Sequence, residues 1–152
     1  MISLALRGGA FAAALLVASC GLTAVGTAVD TSATRDTTAQ AVALVSQYRR
    51  AHGLPPVQAD SKLTAAARHQ ASVVARAGAL SHDAGSSFTS RMAAYGIKGV
   101  AAENLSMGPG AAEDIVARWK ASPGHNANLL HPRVNRVGMA QDGRYWALVL
   151  AQ

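Results

Sequence analysis

A single cysteine, Cys20, stands in a chain of 152 residues, so no internal disulfide can form and the fold must be held by burial of its own side chains. Half of the residues are apolar and 14% are charged, which supplies enough apolar surface to offset the entropy of ordering and excludes disorder for most of the chain. One globular domain of about 100 to 150 residues suits this length. The same composition excludes a collagenous or low-complexity fibre.

Cys20 also closes a segment with the layout of an export signal. Arg7 supplies a positive charge, and the apolar run from Ala10 to Ala18 follows, too short for a membrane span. The run ends in Val17-Ala18-Ser19-Cys20, which resembles a bacterial lipobox, whose cysteine thiol becomes thioether-linked to diacylglycerol. Residues 1–19 are therefore expected to be a lipoprotein signal peptide, with Cys20 as the lipidation site. The competing site lies after Ala28, where Gly26 and Ala28 suit a signal peptidase, and would release a soluble secreted protein. Residues 20–37 are polar and rich in Ala, Thr, Ser and Gly without apolar periodicity, as a flexible linker would be, so the domain is expected to occupy 38–152.

With Arg7 set aside, 13 basic side chains face 8 acidic ones, a balance that favours anionic surfaces. The arginines of the domain (Arg49, Arg50, Arg68, Arg76, Arg91, Arg118, Arg133, Arg136, Arg144) are scattered, with few aromatics between them, so they read as a solvated face and no nucleic-acid partner is expected.

Ala41, Val42, Leu44, Val45 and Tyr48 fall at helical spacing, with Thr37 or Thr38 as N-cap and Gly53 as the stop. Asp60 or Ser61 caps a second, alanine-rich helix ending at Gly78, and the alanines imply close packing. A polar loop with Ser81-His82-Asp83 precedes a short helix carrying Phe88, Met92 and Tyr95, and residues 100–107 read as extended. A fourth helix places Ala112, Ile115, Val116 and Trp119 on one stripe and stops at Ser122-Pro123-Gly124. The C-terminus reads as a hairpin turning at Asp142-Gly143, its second strand apolar enough to be covered on both faces.

The chain has five histidines, and Glu103 lies among Val100, Ala101, Ala102 and Leu105, where an unpaired carboxylate is costly and needs a partner or a raised pKa. His82 lies in a loop of small residues, and His125 in a Pro-Gly turn after a helix, both suited to pointing into a cleft. His82, Glu103 and His125 together have the donor types for a divalent metal such as zinc, or for acid-base work in which Glu103 orients an imidazole. A bland alternative is a hydrogen-bonded cluster that only holds loops together. His52, His69 and His131 read as surface or turn residues, and Trp119, Trp146 and Tyr145 as core or interface aromatics.

An ordered set of motifs resembles the CAP superfamily, also called SCP domains, in its compact bacterial branch. These are Tyr48-Arg49-Arg50-Ala51-His52-Gly53-Leu54-Pro55-Pro56-Val57, the Asp60 to Ala67 helix start, Ser81-His82, Glu103-Asn104-Leu105, the stretch from Trp119 to Asn126 containing Ser122-Pro123-Gly124-His125, Leu129-Leu130, Val137-Gly138-Met139 and Tyr145-Trp146. The resemblance covers about residues 38–151. It implies an α+β fold, a three-layer α-β-α sandwich, in an exported protein with a surface cleft into which His82 and Glu103 point.

In eukaryotic members that cleft carries two His and two Glu and binds divalent metal. Here Ser122 or its neighbours stand where a second Glu would follow the tryptophan helix, no Gly-His-Tyr-Thr-Gln-like strand motif precedes Val137, and His125 is the second imidazole. Two functions follow as expectations. The first is a monomeric, envelope-tethered module binding a lipid, another small apolar ligand or an envelope or host partner through His82, Glu103 and His125. The second is a metal-assisted hydrolase using the same residues as ligands or catalytic groups.

Overall fold

The computed structural model describes residues 34–152. The expected signal peptide, Cys20 and the alternative cleavage site after Ala28 lie outside the described residues. The elements in chain order are β1 (Arg35–Asp36), α1 (Thr38–Ala51), β2 (Gln58–Ala59), α2 (Ser61–Ala77), α3 (Phe88–Ala94), β3 (Ala101–Met107), α4 (Ala112–Ala121), α5 (Pro123–Leu129), β4 (Arg136–Asp142) and β5 (Tyr145–Ala151).

The central sheet has the order β1-β4-β5-β3, with β2 pairing in parallel with the other end of β4's outer edge. Period-two alternation builds two cores from these strands. Val137 and Met139 of β4 and Trp146, Leu148 and Leu150 of β5 pack with Ala41 and Val45 of α1 and with Ile115, Val116 and Trp119 of α4. Ala140, Ala147, Val149 and Ala151 point the other way, towards Leu63, Ala66, Ala67, Ala71 and Val74 of α2 and Met92 of α3. β5 therefore carries apolar side chains on both faces, and the result is the expected α-β-α sandwich of an α+β fold.

The helix ends follow local chemistry. Asp60 accepts from the backbone N–H groups of Lys62 and Leu63 to cap α2, and Gly78 ends it at φ 67°, a left-handed conformation glycine adopts without steric cost. The tight α2 contact that its alanines imply is set by Gly138: a Cβ there would lie 2.1 Å from the Thr64 backbone nitrogen and 2.2 Å from the Leu63 carbonyl carbon.

Three expectations need correction. The linker does not reach residue 37, because Arg35 and Asp36 pair with Gln141 and Ala140 and Thr37 is buried; two residues of pairing leave no periodicity to detect. Ser122-Pro123-Gly124 does not only stop α4, since Pro123 occupies the first turn of α5, where its missing N–H costs nothing. The hairpin loop is Gly143-Arg144, one residue later than expected, with Asp142 paired to Tyr145.

Candidate functional site

Glu103 is the anchor of the site. β3 is an edge strand, and its Glu103 side chain is only 2% exposed, with Oε1 2.9 Å from His82 Nδ1 and Oε2 2.8 Å from Arg91 Nη2. One ring N–H and one guanidinium thus occupy both oxygens of the carboxylate, and Arg91 is the counter-ion that the sequence does not reveal. Arg91 is equally buried, on α3, and also donates to the carbonyls of Ser86 and His82. The loop from His82 to Ser86 is thereby fastened to β3 through one guanidinium.

The carboxylate accepts the His82 Nδ1 proton, so in the neutral imidazole Nε2 carries the free lone pair. The His82 side chain is 54% exposed while the group behind it is buried, an imidazole held rigidly at its base and open at its tip. His125 stands in the first turn of α5, its Nδ1 2.9 Å from Ser122 Oγ. Burial, and after it the neighbouring His82 imidazole, hold the His125 imidazole below the ordinary histidine value.

Asn104 and Asn128 join α5 to the strand. Asn128 Nδ2 donates to Asn104 Oδ1 at 2.8 Å, and Asn104 Nδ2 donates to the His125 carbonyl at 3.1 Å. On the outer side, Tyr48 of α1 donates to Asn126 Oδ1 at 2.9 Å, with the Lys120 ammonium 4.6 Å from its ring centroid. His125 is therefore set by its own helix, by the edge strand and by α1, and not by a turn.

The structure brings together all three expected site residues, His82, Glu103 and His125, but gives them unequal parts. The donor set does not fit a metal held by all three, because both Glu103 oxygens are committed to His82 and Arg91. Among the described residues no three His, Cys, Asp or Glu side chains are placed to share a metal ion. Two imidazoles remain to meet a ligand.

Sequence inspection missed Arg91, Asn104 and Asn128. Arg91 lies one residue before Met92 on the stripe formed with Phe88 and Tyr95, so its helical position marked it for burial, as the partner a lone apolar-strand glutamate requires. Arg91 and Arg49 also correct the picture of a uniformly solvated basic face: they are 2% and 0% exposed. His52 and His69 are exposed, as expected, and Trp119 and Trp146 are core residues.

Comparison with known proteins places this arrangement in a family. The model of the cysteine-rich secretory protein family, the CAP domain, matches residues 42–143, and the chain belongs to that family. It is 31% identical over 111 residues to the uncharacterized protein YkwD of Bacillus subtilis, a match covering 69% of this chain and 43% of that protein.

Among solved structures, it superposes with TM-score 0.72 and 19% identity on an extracellular SCP-domain protein from Bacillus anthracis, over 76% of this chain and 40% of that one. An outer surface protein of Borrelia burgdorferi matches with TM-score 0.70 and 17% identity, over 78% of this chain and 96% of that one. The chain thus spans less than half the length of the two Bacillus relatives.

Proposed function

We propose that this CAP domain is an exported binding module that takes its ligand at the surface presented by His82 and His125. Export is supported by the signal-like N-terminus and by relatives described as an extracellular and an outer surface protein. Lipidation of Cys20 then tethers the domain to the cell envelope, and the linker gives it reach. The observation that supports the binding function is the double engagement of Glu103: a carboxylate spent on orienting His82 and neutralising Arg91 builds a fixed recognition surface and is not itself free to act as a base.

The ligand class is a lipid or another molecule with a polar head and an apolar body. The imidazoles take the head, His82 accepting through Nε2 when neutral and donating through it when protonated, and Leu80, two residues before His82 in the chain and 44% exposed, offers apolar surface on the same segment.

Native mass spectrometry of the full chain tests this. A retained adduct of lipid mass that is lost in His82→Ala and His125→Ala supports the proposal; an adduct-free protein that also takes up no lipid from envelope extracts contradicts it. The hydrolase alternative is favoured by one detail, the carboxylate behind His82, because metal-bound imidazoles are commonly oriented in this way. A stoichiometric zinc ion, lost in His82→Ala, would shift the assignment to that alternative.

A further inference from the structure

The exposed charges are sorted by layer. The stretch from Ser61 to Ala102, which holds α2 and α3, contains Lys62, Arg68, Arg76, Arg91 and Lys98 against one acid, Asp83. Arg91 is spent on Glu103, and Asp60 at the head of α2 on Arg136. Asp83 lies in the loop beyond α2, where its carboxylate accepts the Phe88 N–H at 3.0 Å. The exposed acids Asp36, Glu113 and Asp114 belong to β1 and α4.

α2 turns Leu63, Ala66, Ala67, Gln70, Ala71 and Val74 inward and leaves Lys62, Arg68, His69 and Arg76 exposed, from one end to the other over about 21 Å of helix. Ser61, Ala65 and Ser72 stand between them, too short to hold a flat surface away from the cations. Lys62 extends the patch sideways: a Cβ on Gly96, two residues from Lys98, would lie 3.6 Å from its Nζ, and Tyr95 of the same turn has its ring centroid 6.2 Å from that of His69. No acidic residue occurs in α2, in α3 or in the turn after α3.

Helix stability does not account for these charges. Lys62 stands in the first turn of α2, where a cation opposes the helix dipole, and no carboxylate lies three or four residues from Lys62, Arg68 or Arg76 within the helix. No ion pair joins Lys62, Arg68, Arg76 or Lys98 to a carboxylate among the described residues.

From this sorting we infer that the outer face of α2, with the turn after α3, docks the domain on an anionic phospholipid surface. Chain length favours a membrane as the occupant: Cys20 and Thr34 are fourteen residues apart, about 50 Å at full extension, so a lipid on Cys20 keeps the domain within reach of the headgroups. That step rests on the proposed lipidation, whereas the charge sorting stands without it. A Lys or Arg near an anionic leaflet strengthens binding about fivefold, and four of them give a reversible contact that a tether makes effective.

The full chain carrying Cys20→Ser, which has no anchor, is sedimented with vesicles of phosphatidylcholine alone and of phosphatidylcholine with phosphatidylglycerol. The neutral vesicles report what residues 1–19 contribute. A preference for the anionic vesicles that fades with added salt is expected. Combined Lys62→Gln, Arg68→Gln and Arg76→Gln should weaken it about tenfold or more, since glutamine keeps the helix, while Arg50→Gln, Arg133→Gln and Arg144→Gln, which remove the same charge elsewhere, should change it much less. No preference for anionic vesicles overturns the inference, as do equal losses in the two triple variants, which would make net charge the cause. Binding to soluble polyphosphate without binding to vesicles overturns the membrane assignment. A failure of the lipidation reading shows separately, as a chain that takes up no fatty acid yet keeps its vesicle preference.

Discussion

The buried Glu103–Arg91 pair and the half-exposed His82 that it holds form the centre of the site at the residue scale. Replacing Glu103 by Ala strands the Arg91 guanidinium at 1% side-chain exposure, and an uncompensated buried charge of this kind costs about 3–5 kcal/mol. Chemical denaturation of Glu103→Ala should show that loss, whereas His82→Ala, which removes a half-exposed ring, should cost less than about 1.5 kcal/mol. Equal losses would mean that His82 is structural.

His125 gives a pH signature. Its folded-state pKa is depressed, so the unfolded chain binds the proton more readily; stability contributed by the neutral ring is present above the ordinary value of 6.5 and is lost as pH falls below it. His125→Asn should flatten the stability profile in that window, and an unchanged profile would show that other groups set it.

Element-scale order depends on two close fits. Gly138→Ala forces a Cβ into the Thr64 and Leu63 backbone and should destabilise by about 3 kcal/mol or more, because a helix backbone cannot rotate aside as a side chain can. Arg49, fully buried on α1, donates to the carbonyls of Pro55, Leu129, His131 and Val134, tying two loops and the end of α5 together. Arg49→Met should therefore lower stability by about 3 kcal/mol or more and loosen α5, detectable as faster hydrogen exchange around Asn126 and Asn128.

How far the elements were legible in the sequence follows from the same physics. α1, α2, α4 and the β4–β5 hairpin announce themselves through long apolar periodicity and strong caps such as Asp60 and Gly78. β1 and β2, two residues each, have no period, and α5 begins at a proline that reads equally as a stop. Glu103 and His82 were legible because polar residues in apolar or small-residue settings demand partners. Arg91 left only its place on the stripe with Phe88 and Tyr95 as a sign, and Arg49 left none, because a long cation buried through its hydrogen bonds looks in sequence like any surface arginine.

At the scale of the whole molecule, the proposed export and tethering rest on the N-terminal segment, and the proposed binding on the folded domain. No described helix is long and apolar enough to cross a membrane. The proposed lipidation makes membrane association depend on Cys20: in cells fed a labelled fatty acid, the full chain should take up label and fractionate with membranes, and Cys20→Ser should abolish both. Label-free protein in the medium would point to cleavage after Ala28 instead.

The most direct test of the binding cleft follows the five histidine rings of the full chain by NMR as envelope lipid extract is added, since His52, His69 and His131 serve as references within the same molecule. Saturable shifts confined to the His82 and His125 rings, and lost in Glu103→Gln, are predicted; rings that do not respond, or all five drifting together, would contradict ligand binding at this cleft.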